Sequence, residues 1–129
     1  MHIFVPVSVG ELVDKITILE IKLKEIKDEA KLKNVQKEYD LLMDVYTKEV
    51  PQSDEIKRLY KELYDSNRKE WDHENDVRAH WNDDGIFLAG ARATHYQNDI
   101  RARLKREIND LLGSSIVEEK SHPQYEHKG

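Results

Sequence analysis

Two apolar stripes at helical spacing mirror one another across residue 29, and no other feature of the sequence restricts the fold as strongly. Leu12, Ile16, Leu19, Leu23 and Ile26 recur at alternating steps of four and three, the period of one helix face. After a reset near Asp28, Leu32, Val35, Tyr39, Leu42 and Tyr46 repeat the same steps. Ile26 with Leu32, Leu23 with Val35, Leu19 with Tyr39, Ile16 with Leu42 and Leu12 with Tyr46 are each equidistant from that one point. Such symmetry is the register of an antiparallel helical hairpin. Ser8-Val9-Gly10-Glu11 reads as a capping box ahead of the first helix. Val9, Val13, Ile18 and Ile21 lie off its main stripe and make it apolar almost all round. It is therefore expected at the centre of the assembly, and a charged chain with such a helix is expected to form a two-fold homodimer.

Val50-Pro51-Gln52 ends the second helix, and Ser53, Asp54 and Glu55 begin a third. Its inward stripe opens with Ile56, Leu59 and Leu63. Continued at about 100° per residue, it brings up Asn67, Glu70 and Glu74 before Val77 and Trp81. Asp65-Ser66-Asn67 offers a place for a bend. Asn82-Asp83-Asp84-Gly85 reads as a turn, with Gly85 at positive φ. A fourth helix then runs from about Ile86 to Leu112 and stops at Gly113. Its stripe is Ile86, Gly90, Ala93, Gln97, Ile100, Leu104, Ile108 and Leu111. Folded back on the third helix, it sets Leu111 opposite Ile56, Leu104 opposite Leu63, and Ile100 or Arg101 opposite Asn67. Gln97 then faces Glu70, and Ala93 faces Glu74.

The expected fold is all-α: two antiparallel helical hairpins forming a four-helix bundle, with a short extended N-terminal arm and an irregular C-terminal tail. The 129 residues fit one domain, divided into arm 1–8, first hairpin 9–50, second hairpin 53–112 and tail 113–129. Within the tail, Ile116 and Val117 are candidates for docking, and His122 to Gly129 reads as loose. A formal charge of −5 argues against non-specific nucleic-acid binding. The longest apolar run, Ile3-Phe4-Val5-Pro6-Val7, is far too short to span a bilayer. The lack of cysteine suits a reducing cytoplasm, where the protein is expected, away from membranes.

Carboxylates at leucine positions require partners, because an unpaired buried charge costs several kcal/mol. Glu70 and Glu74 are the candidate acid–base pair. Lys15, Asn67, Arg78, Gln97 and Arg101 are candidate binding residues for a small polar or anionic metabolite. The competing reading is a non-catalytic interaction module whose buried ion pairs only fix helix register. A third reading is a metal-dependent all-α nucleotide pyrophosphatase, which Glu11-x-x-Asp14 and Glu70-x-x-x-Glu74 loosely imitate. Glu70-x-x-His73 lacks the second copy that a dimetal bundle requires, since its only counterpart, Glu119-x-x-His122, falls in the tail. No metal ligand and no cofactor is assigned.

Pro6 to Lys22 (PVSVGELVDKITILEIK), Asn98 to Asn109 (NDIRARLKREIN) and Val117 to Ser121 (VEEKS) resemble a family of short bacterial and viral proteins of unknown function. The similarity covers most of the chain and implies a compact helical protein. In architecture alone the chain is similar to helical chorismate mutases, which bind a dicarboxylate among Arg, Lys, Gln and Glu side chains. The first helix departs from that pattern, for the earliest arginine is Arg58.

Overall fold

The computed structural model describes residues 1–114, 119 and 122. Four helices follow in order: α1 (Val9–Glu25), α2 (Glu29–Glu49), α3 (Asp54–Ala79) and α4 (Asp84–Leu112). They form a four-helix bundle of two hairpins, and among the described residues there is no strand. The capping signals of Ser8 and Ser53 act as expected, Ser8 Oγ accepting from the Glu11 N–H at 3.1 Å and Ser53 capping α3 in the same way; Asp28, where the pattern resets, caps α2. Gly113 closes α4 in the left-handed conformation at φ 65°, where a side chain would be strained.

The expected turn between α3 and α4 needs correction. Gly85 is not a positive-φ turn residue: the Asp83 carboxylate accepts from the Ile86 N–H at 3.0 Å, so α4 starts at Asp84 and Gly85 lies in its first turn. The reversal falls on His80–Asp83 instead. Helix α3 is continuous through Asp65-Ser66-Asn67, the place open to a bend, and Ser66 and Asn67 are buried and bonded to other helices. The arm expectation holds for 1–7, which are exposed and without regular structure. The expected docking of Ile116 and Val117, and most of the tail, lie outside the described residues.

Helix α1 is the hub. It packs against the other three helices, whereas the α2 backbone closely approaches α1 alone. Only Lys15 and Lys24 of α1 are exposed. Its second apolar side is covered within the same chain, so that side does not itself call for another copy. Leu12, Val13 and Ile16 join Ile56, Leu59 and Leu63 of α3 and Leu104 and Ile108 of α4 in one core. Leu111, expected inside, is exposed at the base. The first hairpin keeps its expected register, since the Tyr39 hydroxyl donates to Glu20 at 3.4 Å. Tyr60 of α3 donates to the same carboxylate oxygen, so Glu20 ties three helices together. Burial, and then the bond to Glu20, hold the Tyr60 phenol well above its ordinary pKa; burial and the Glu20 charge raise Tyr39 as well.

Helix lengths decide what α1 can cover. At 1.5 Å per residue α1 is about 25 Å long, against about 39 Å for α3 and about 43 Å for α4. Glu25, the last residue of α1, already meets Arg68 at 2.6 Å. Beyond that point α3 and α4 have only each other. From Trp71 to Tyr96 the one buried residue is Gly90, which packs on Val77. The α3–α4 hairpin thus projects as a two-helix tip, closed by an edge-to-face contact of Trp81 and Phe87 at 5.1 Å.

Candidate functional site

A polar layer crosses the bundle just below the tip. Asp14 of α1 is at its centre, with a side chain only 5% exposed. Its Oδ1 accepts from Asn67 Nδ2 at 2.9 Å and Arg101 Nε at 3.3 Å, and its Oδ2 accepts from Arg101 Nη2 at 2.9 Å. Asn67 Nδ2 also donates to Thr17 Oγ1 at 2.9 Å, and Thr17 donates to the Asp14 main-chain carbonyl at 2.8 Å. Arg101 Nη1 completes the layer, reaching Glu70 Oε2 at 2.8 Å and Asn98 Oδ1 at 3.2 Å. Burial works against the guanidinium charge, but hydrogen bonding and attraction to Asp14, then Glu70, outweigh it and raise the Arg101 pKa. One turn away, Ser66 Oγ donates to Gln97 Oε1 at 3.0 Å.

Two further contacts join α1 to α4 along the same seam. The Gly10 N–H donates to Asn109 Oδ1 at 2.7 Å, and Lys105 Nζ meets Glu11 Oε2 at 2.7 Å. Gly10–Asn109, Glu11–Lys105 and Asp14–Arg101 form a ladder of polar contacts down one antiparallel helix pair. Both sides of that ladder fall within the segments that carry the family resemblance, Pro6 to Lys22 and Asn98 to Asn109.

The residues singled out from sequence separate into two groups. Asn67, Glu70, Gln97 and Arg101 come together in or beside the layer, and the Glu70 side chain is only 19% exposed. Lys15 faces solvent on the far side of α1. Glu74 and Arg78 pair with each other at 2.6 Å on the surface, with side chains 52% and 75% exposed. These two, and the exposed Trp81, follow the inward stripe past the end of α1, where no third helix buries them. Thr17 and Ser66 were missed, and Asp14 entered only beside Glu11 as a loose imitation of a metal site. A signal for Asp14 and Thr17 exists: with Gly10 they form a second stripe at helical spacing, small and polar where the main stripe is apolar.

A groove of about 210 Å³ opens where the second hairpin leaves α1, lined by Ile18, Ile21, Asn67, Glu70, Trp71, Glu74 and Arg101. All three guanidinium nitrogens of Arg101 are engaged by the protein. Glu70 and Glu74 each keep one carboxylate oxygen that accepts nothing among the described residues. The buried Trp71 indole N–H likewise has no partner. Among the described residues, no three His, Cys, Asp or Glu side chains cluster closely enough to hold a metal. Glu11 and Asp14, the acidic pair on α1, are bound to Lys105 and Arg101. No helix among the described residues is long and apolar enough to cross a membrane.

No curated protein and no solved structure matches the chain. The chain belongs to the family of unknown function DUF6165, which matches residues 3–125.

Proposed function

We propose that the chain is a non-catalytic interaction module whose α3–α4 tip pairs with the tip of a second copy. The observation behind this reading is the projection of two helices beyond α1 with Trp81, Leu88 and Tyr96 exposed. Helices in soluble proteins bury an apolar stripe against neighbours, and two helices alone leave part of it wet. Two tips meeting about a two-fold axis complete a local four-helix layer, each copy covering the same patch on the other. The exposed Ala89 keeps the α4 surface beside Leu88 low enough for close approach. The polar layer below then serves as a register device that fixes the angle of the tip.

A catalytic site for an anionic metabolite has less support. Of the three cations it would use, Lys15 points elsewhere, Arg78 is neutralised by Glu74, and Arg101 is engaged at every nitrogen. The metal-dependent pyrophosphatase reading has no ligand set among the described residues.

Size-exclusion chromatography with light scattering tests the pairing. The wild-type chain is expected to run as a dimer at tens of micromolar. Leu88→Asp places a charge in the contact and weakens association by roughly tenfold to a hundredfold, on the scale of burying an unpaired polar group. Its helical content stays the same, because Leu88 is exposed within one chain. Added salt tightens the wild-type dimer, since residues 72–96 carry five carboxylates against two arginines. A monomeric wild type, or a dimer that Leu88→Asp leaves intact, contradicts the proposal.

A further inference from the structure

The groove at the root of the tip has a chemistry of its own, independent of whether two tips pair. We propose that it binds an organic cation, a primary ammonium group carried on an apolar stem. Its three charged lining residues are Glu70, Glu74 and Arg101, and they leave one net negative charge. The single cation among them is spent on Asp14, Glu70 and Asn98. Each glutamate offers an oxygen with no protein partner against one unpaired donor, the Trp71 indole N–H, so acceptors outnumber donors in the groove. An ammonium group supplies three donors and the missing positive charge in one compact head.

The apolar part of the lining bears on the other half of the ligand: Ile18 and Ile21 come from α1, and Trp71 lies beside Glu70 on α3. A ligand in the groove therefore meets both carboxylates and hydrocarbon. The volume of about 210 Å³ is of the order of the roughly 150 Å³ cavity that takes up benzene, which suits a small amine better than a nucleotide or a peptide. The selectivity is opposite to that of an anion site. A carboxylate ligand would face Glu70 and Glu74 with no uncommitted cation to meet it.

Three probes of one shape separate the possibilities: phenethylammonium, phenylethanol and phenylpropionate share a phenyl ring and a two-carbon stem. Thermal unfolding of the full chain is followed as each is titrated at low ionic strength. Phenethylammonium is expected to raise the midpoint in a saturable manner, phenylethanol to raise it less, and phenylpropionate to leave it unchanged. Glu74→Gln removes one acceptor charge at a half-exposed position and is expected to weaken phenethylammonium binding by roughly twofold to fivefold, the scale of an exposed ion pair. Its unliganded midpoint stays close to wild type. An equal response to phenylpropionate or phenylethanol overturns the cation assignment and leaves the groove as a site. Silence with all three overturns the site itself. Binding of phenethylammonium that Glu74→Gln does not alter overturns the assigned location.

Discussion

Asp14→Ala is expected to destabilise the protein by about 3 kcal/mol or slightly more, the lower part of the range for breaking a buried ion pair. Most of that cost falls on what stays behind. Arg101 would lose the carboxylate held by two of its three nitrogens, and Asn67 one of its two acceptors. The estimate sits at the lower end because Glu70 still faces Arg101 at 2.8 Å. Urea unfolding measures the change as a shift of midpoint at constant slope. The triple replacement Asp14→Leu, Arg101→Met and Glu70→Met leaves neither carboxylate unpaired, and so separates the cost of an orphaned charge from the worth of the triad. Apolar substitutes of similar volume are expected to be neutral, or to stabilise by about 1–4 kcal/mol. If Asp14→Ala costs less than half a kcal/mol, the layer holds nothing together.

Gly10→Ala should cost about 2–3 kcal/mol, although alanine is the better helix former. A Cβ at Gly10 would stand 2.5 Å from the Lys105 main-chain oxygen and 3.0 Å from Asn109 Oδ1. The first of these atoms is α4 backbone and cannot rotate aside, so the start of α1 must retreat. The retreat lengthens the Gly10 N–H bond to Asn109, now 2.7 Å, and leaves a buried amide poorly satisfied. Gly85→Ala is the control: its Cβ would meet only the Asp83 carboxylate, at 3.4 Å. That change is expected to be neutral or slightly stabilising. Equal urea midpoints for Gly10→Ala and wild type would mean that α1 and α4 do not approach this closely.

The helices were legible because their signals are local. Ser8, Asp28 and Ser53 cap the helices expected to follow them, Gly113 ends α4, and the α1–α2 register follows from two matched stripes. The candidate site was half legible. Asn67, Glu70, Gln97 and Arg101 lie near the level at which α1 crosses α3, so winding the stripe onward still led inward. At Glu74, Arg78 and Trp81 the same winding failed, since periodicity gives a face but not the length of the helix that covers it. Asp14, read only as a partner of Glu11 in a loose acidic pair, was misplaced for a different reason. It lies between Val13 and Lys15 on a helix apolar nearly all round, and its partners are 53 and 87 residues away in sequence. Nothing local marks it as buried. Only the stripe through Gly10 and Thr17 does so, and that stripe becomes informative once α4 is known to lie against it.

Hydrogen–deuterium exchange at two protein concentrations tests the division between a structural layer and a working tip most directly. Amides around Asp14, Asn67 and Arg101 are expected to exchange slowly at both concentrations, since they belong to the three-helix part of the bundle. Amides of 72–79 and 84–96 are expected to exchange fast when dilute and to gain protection as the concentration rises and tips pair. Tip exchange that ignores concentration, or a polar layer that exchanges as fast as the tip, contradicts the account.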